Sequence, residues 1–113
     1  MANRKTLTIK GVNFSLLTGK QAEALVEDYR RAERYGYMHL WNVYGRCSRR
    51  KEVAFEECDE IRRSLGGGIM YISSYNTMMF TLVYMLKHEG KTYIVKETPS
   101  YRFICETELG ALR

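Results

Sequence analysis

Proline, histidine and tryptophan are scarce in this 113-residue chain, at one, two and one copies. A single proline leaves no room for a Pro-rich linker, and no repeat or low-complexity stretch divides the chain. The three cysteines, Cys47, Cys58 and Cys105, are odd in number and form no CxxC pair. They fit neither a disulfide framework nor a zinc motif and read as buried free thiols. The longest apolar run, Leu82 to Leu86, is far too short to span a bilayer. Met1-Ala2-Asn3-Arg4-Lys5 leads into alternating residues rather than the apolar core of a secretion signal. The expectation is a cytoplasmic protein with no membrane partner. Neither GxxxxGK[ST] nor GxGxxG occurs, so the known phosphate-cradling loops are excluded.

What is present is a globular composition, 45% apolar, at the commonest size for a single domain, here residues 1–113. A chain of this length buries about two thirds of its unfolded surface and folds without metal, disulfide or cofactor. Lys and Arg number 18 against 13 Asp and Glu, a formal charge of +5. That balance favours acidic partners such as nucleic acid, nucleotides or an acidic protein face.

Leu7 and Ile9 alternate with Thr6, Thr8 and Lys10, the pattern of a half-buried strand ending near Gly11. Thr18 and Gln21 match a capping box, and Ala22, Leu25, Val26, Tyr29 and Ala32 follow at helical spacing, with a stop near Gly36. Tyr37 to Tyr44 is β-branched and aromatic and predicts a short strand with His39, Trp41 and Val43 on one side. Ser48 can cap a second helix whose stripe is Ala54, Phe55, Cys58, Ile61 and Leu65, stopped by Gly66, Gly67 and Gly68. Ile69 to Ser73, Met78 to Lys87, Thr92 to Glu97 and Tyr101 to Thr107 predict four more strands in a meander, with turns at His88-Glu89-Gly90 and Thr98-Pro99-Ser100. The expected fold is α+β, in the order β-α-β-α-β-β-β-β: a mostly antiparallel sheet with both helices packed on one face and Met78 to Leu86 as the central strand. An exposed edge strand at either end of such a sheet admits a homodimer.

The informative segment runs from Trp41 to Lys51. A helix N-terminus carries about half a positive charge and several unpaired N–H groups, so anions belong there. Arg49, Arg50 and Lys51 instead place three cations in the first turn, each unfavourable by about 0.3 to 1 kcal/mol. A phosphate held by the free N–H groups, the Ser48 hydroxyl and the Arg46 guanidinium reverses that sign, and Gly45 lets the backbone approach. Tyr44, and Trp41 if it faces outward, offer rings on which a base can stack. The competing explanation is that Glu52, Glu56 and Glu57 neutralise the run as an ordinary solvated helix start.

Two polar turns are further contacts for such a ligand. Ser74, Tyr75, Asn76 and Thr77 form one, and Ser100 and Tyr101 the other. Turns also favour these residues for backbone reasons alone. Of catalytic groups, His39 and His88 lack spaced partners, and Glu56, Glu57, Asp59 and Glu60 read as a solvated helix face. Cys47, beside Arg46 and Arg49 at a helix start, is the best nucleophile candidate, but no partner base is identifiable.

The segments Tyr44-Gly45-Arg46 with Ser48, Ser73-Ser74-Tyr75-Asn76-Thr77 and Thr98-Pro99-Ser100-Tyr101 resemble a pattern in short uncharacterised proteins of gut bacteriophages. The resemblance covers roughly the C-terminal two thirds, with Cys47 as a departure from it. It implies a small phage protein acting in the host bacterial cytoplasm and brings no catalytic residues. Three readings stand. The first is a non-enzymatic module binding nucleic acid or a nucleotide at Tyr44, Gly45, Arg46, Ser48, Arg49, Arg50 and Lys51. The second is an inhibitor of a host protein, of anti-defence type, acting through its basic face. The third is a thiol-dependent enzyme centred on Cys47.

Overall fold

The computed structural model describes residues 5–35, 49–68, 71–75, 80–98 and 100–108, with the backbone alone for 35, 49–55, 71–75 and 80. The elements are β1 (Thr6–Ile9), β2 (Val12–Leu16), α1 (Gly19–Tyr35), α2 (Arg49–Ser64), β3 (Tyr71–Tyr75), β4 (Phe80–His88), β5 (Lys91–Thr98) and β6 (Tyr101–Thr107). The strands form one six-stranded sheet ordered β1-β2-β6-β5-β4-β3. Every pair is antiparallel except β2 with β6, which is parallel. The fold is α+β, and β3 to β6 form the expected meander. The expected strand at Tyr37 to Tyr44 lies outside the described residues. No described helix is long and apolar enough to cross a membrane.

Two tight hairpins follow from left-handed residue pairs. Lys10 and Gly11 have φ of 49° and 83°, and Glu89 and Gly90 have φ of 50° and 78°. Positive φ at both central positions matches the right-handed twist of the flanking strands and closes each hairpin in two residues. The first of these turns was not expected from the sequence. Gly11 reads as the end of a strand, yet the chain reverses there and Val12, Phe14 and Leu16 continue the alternation. Leu7 pairs with Phe14 and Ile9 with Val12, so the hairpin has one apolar face. On its other face Thr8 Oγ1 lies 2.6 Å from Asn13 Oδ1 as a hydrogen bond.

The two helices cover opposite faces of the sheet, which corrects the expectation of a shared face. Leu25 and Tyr29 of α1 pack on Val83, Ile94 and Cys105, and the Cys105 thiol donates to the Ala22 carbonyl at 3.7 Å. Ile61 and Leu65, at the end of α2, pack instead with Tyr84, Leu86, Tyr93, Val95 and Ile104, together with Ile9 and Phe14. The physical reason lies in β5. Tyr93, Ile94 and Val95 are consecutive and all buried, and alternation sends them to both faces. A strand buried on both sides needs a layer on each. The central position is also corrected: β4 lies next to the β3 edge, and β6 and β5 occupy the middle.

Candidate functional site

The second helix begins at Arg49, so Arg49, Arg50 and Lys51 form its first turn. Trp41, Tyr44, Gly45, Arg46 and Ser48 lie outside the described residues, as do His39, Cys47, Asn76 and Thr77. Ser74 and Tyr75, expected in a turn, belong to β3 and pair with Thr81 and Phe80 beyond a register shift after Ile72. The physical reason is that the aromatic and β-branched content of Tyr71 to Tyr75 outweighs the turn preference of its two serines. Ser100 and Tyr101 stand at the β5–β6 connection. Thr98 pairs with Tyr101, and the Ser100 amide donates to the Thr98 hydroxyl at 3.1 Å.

Two contacts give the path of α2 on the sheet. Its end, Leu65, packs against Tyr84, while Cys58, two turns earlier, meets Glu97. Glu97 is farther along β5 than Val95, the residue opposite Tyr84. From Leu65 back to Cys58 the helix thus runs in the direction from Val95 to Glu97 on β5. Lys51 lies about 10 Å along the helix from Cys58 at 1.5 Å per residue.

Under α2 lies a buried polar cluster that the sequence reading missed. Glu97 is wholly inaccessible. Its carboxylate accepts the Tyr84 hydroxyl at 3.1 Å and Arg102 Nε at 2.9 Å, and the Cys58 thiol is a further hydrogen-bond partner. Burial raises the Glu97 pKa above the ordinary carboxyl value, and it outweighs Arg102, Tyr84 and Cys58, which act the other way. Burial, reinforced by the Glu97 charge, pushes the Cys58 thiol up to about 12 and raises the Tyr84 phenol as well. A signal for the cluster was available. Glu97 sits two and four residues beyond Val95 and Tyr93, on the face they bury, and Arg102 is its partner across a two-residue connection.

Next to Cys58 in α2, Asp59 is nearly buried and holds two cations. Arg62 reaches it at 2.8 Å and Arg63 at 2.9 Å. Arg62 also donates to the carbonyls of Gly67 and Gly68, at 3.1 and 2.7 Å. The helix ends as a Schellman motif, with the Gly66 amide on the Arg63 carbonyl, the Gly67 amide on the Arg62 carbonyl and Gly66 at φ 74°.

On the opposite face, between α1 and the sheet, an open groove of about 210 Å³ is lined by Leu17, Gln21, Ala24, Leu25, Asp28, Lys96 and Phe103. Lys96 and Asp28 pair across it at 3.1 Å. Tyr101 packs beside Phe103, with ring centroids 4.5 Å apart.

Chemically, the described thiols are poor nucleophiles near neutral pH. Cys58 and Cys105 are both free and buried, and burial pushes Cys105 up to about 11. Among the described residues no group of three His, Cys, Asp or Glu side chains is placed to hold a metal ion. Comparison with protein-family models, with curated proteins and with solved structures finds no match to the chain.

Proposed function

We propose that the protein is a small non-enzymatic binding module that holds a phosphate-bearing partner, nucleic acid or nucleotide, at the N-terminal turn of α2. The observation that carries this reading is the start of a 16-residue helix at Arg49, which sets Arg49, Arg50 and Lys51 in its first turn. Cations there oppose the helix dipole, whereas an anion bridging them and the free N–H groups turns the same arrangement favourable. Arg46, Ser48, Gly45 and Tyr44 immediately precede this turn in sequence and complete the proposed site. The resemblance to phage proteins supports a bacterial cytoplasm as the setting.

The test is titration of labelled single-stranded and duplex oligonucleotides, ATP and GTP at two salt concentrations. Binding is expected at low salt and weakens as salt rises, because phosphate contacts release counterions. Arg46→Ala/Arg49→Ala is expected to weaken it by about tenfold, the loss of two charge-assisted contacts. Absence of binding at low salt, or unchanged binding by the double variant, overturns the reading. Co-purification from bacterial lysate separates it from the inhibitor reading: a stoichiometric protein partner that survives nuclease treatment favours the latter.

A further inference from the structure

We propose that Glu97 is a proton-sensitive latch that fastens α2 to the sheet, so that the helix is released locally, ahead of α1, as Glu97 ionises. Glu97 is the point at which three elements meet. Tyr84 of β4, Arg102 of β6 and Cys58 of α2 all bond its carboxyl, and none of its surface is open to water. Among the described residues no buried carboxyl underlies α1. That helix rests on Leu25 and Tyr29 against Val83, Ile94 and Cys105, and its pair to the sheet, Asp28 with Lys96, is roughly a third exposed at both ends.

The charged and titratable groups around the carboxyl define the sign. Arg102 comes from β6 and Tyr84 from β4, while the nearest residue on β4, Leu82, is apolar. From α2 come Cys58, with Glu57 acting on its thiol, and the Asp59, Arg62 and Arg63 group, whose charges are bonded to one another. Among the described residues Arg102 is thus the cation bonded to Glu97, and its own side chain is one third exposed. Ionised Glu97 under a docked α2 keeps Arg102 and loses water. With α2 lifted, it keeps Arg102 and regains water. The docked form therefore binds the Glu97 proton more tightly, in line with the upward shift of its pKa. By linkage, docking is strongest at acid pH and weakens as pH rises from the ordinary carboxyl value of 4.5 through the raised value. The device depends on packing beneath α2 and holds whatever the helix binds.

Amide hydrogen exchange on the full chain, corrected for the intrinsic pH dependence of exchange, tests it. Protection in 57–65 of α2 is compared with protection in 25–32 of α1 between about pH 5 and about pH 8. One titrating proton lowers α2 protection by up to about tenfold per pH unit, with α1 unchanged. Glu97→Gln should abolish that slope. Arg102→Gln, which removes the cation that favours ionisation, should carry the slope to higher pH. A flat α2 profile in the native protein, the native slope in Glu97→Gln, or a parallel loss in α1 overturns the proposal.

Discussion

Glu97 and Arg102 face each other across β5 and β6, joined at 2.9 Å, with one side chain fully buried and the other a third exposed. The asymmetry decides what each substitution does. Arg102→Ala leaves a buried carboxyl without its cation, a change of the kind that costs about 3 kcal/mol when the orphaned charge stays buried. The loss should be largest at neutral pH and shrink in acid, where Glu97 takes a proton and no longer needs the cation. Urea unfolding of the variant at two pH values measures the difference.

Alkali should unfold the protein through its interior. Cys58 and Cys105 titrate near 9.0 in an unfolded chain but are held at about 12 and about 11 in the fold, and Tyr84 is raised above its ordinary 10.0. Each folded-state value is raised, so the neutral group stabilises the fold fully below pH 9.0, and that contribution is lost as pH climbs toward the folded values. The Cys58→Ala/Cys105→Ala variant should show a shallower decline of stability above pH 9.0 than the native chain, followed by circular dichroism. A decline of equal steepness would remove the two thiols as its cause.

Gly67 is required by contact rather than by conformation. A Cβ there would stand 2.8 Å from Arg62 Cγ and 2.9 Å from the Tyr84 ring. The ring is clamped in the core, so Gly67→Ala should destabilise by about 1 to 3 kcal/mol, the range for overpacking. Gly66→Ala meets open space but keeps φ at 74°, and should cost about 1 to 2 kcal/mol through backbone strain alone. In an Arg62→Ala background, which removes Cγ, the further loss from Gly67→Ala should shrink and that from Gly66→Ala should not. Thermal melts of the two pairs distinguish the causes.

The hairpin turns leave stability unclaimed. Lys10 and Glu89 hold left-handed φ values without the local hydrogen-bonding side chain that makes asparagine tolerant of them. Lys10→Asn and Glu89→Asn should each stabilise the fold by up to about 1 kcal/mol and add nearly independently, because the turns close different hairpins. A Tm lowered by both substitutions would mean that the native side chains make contacts worth more than the backbone preference.

Local signals carried much of the fold into the sequence. The α1 periodicity, the three-glycine stop after α2 and the turn at Glu89-Gly90 all act within a few residues, and each agrees with the structure. Pairing of β2 with β6 joins residues near opposite ends of the chain, and no local pattern announces such a contact. The opposed helices were readable in Tyr93-Ile94-Val95, where three successive buried residues cannot belong to a one-faced sheet. Glu97 was hidden because a charged residue in a strand is ordinarily taken as solvent-facing, although its parity with Tyr93 and Val95 points inward. Of the proposed ligand site, Arg49, Arg50 and Lys51 are placed in the first turn of α2 as read, and Ser74 and Tyr75 moved from a turn into a strand.

The parallel pairing of β2 with β6 also sets an order of events at synthesis. β2 leaves the ribosome early, yet its neighbour on the sheet is the last strand of the described fold, and β6 bridges it to β5. Until that strand emerges, the apolar face of the β1–β2 hairpin lacks Ile104 and α1 lacks Cys105 beneath it. Closing so long a loop is slow and gives little until it is complete. Completion of both cores therefore waits for β6, the strand that joins the β1–β2 hairpin to the rest of the sheet.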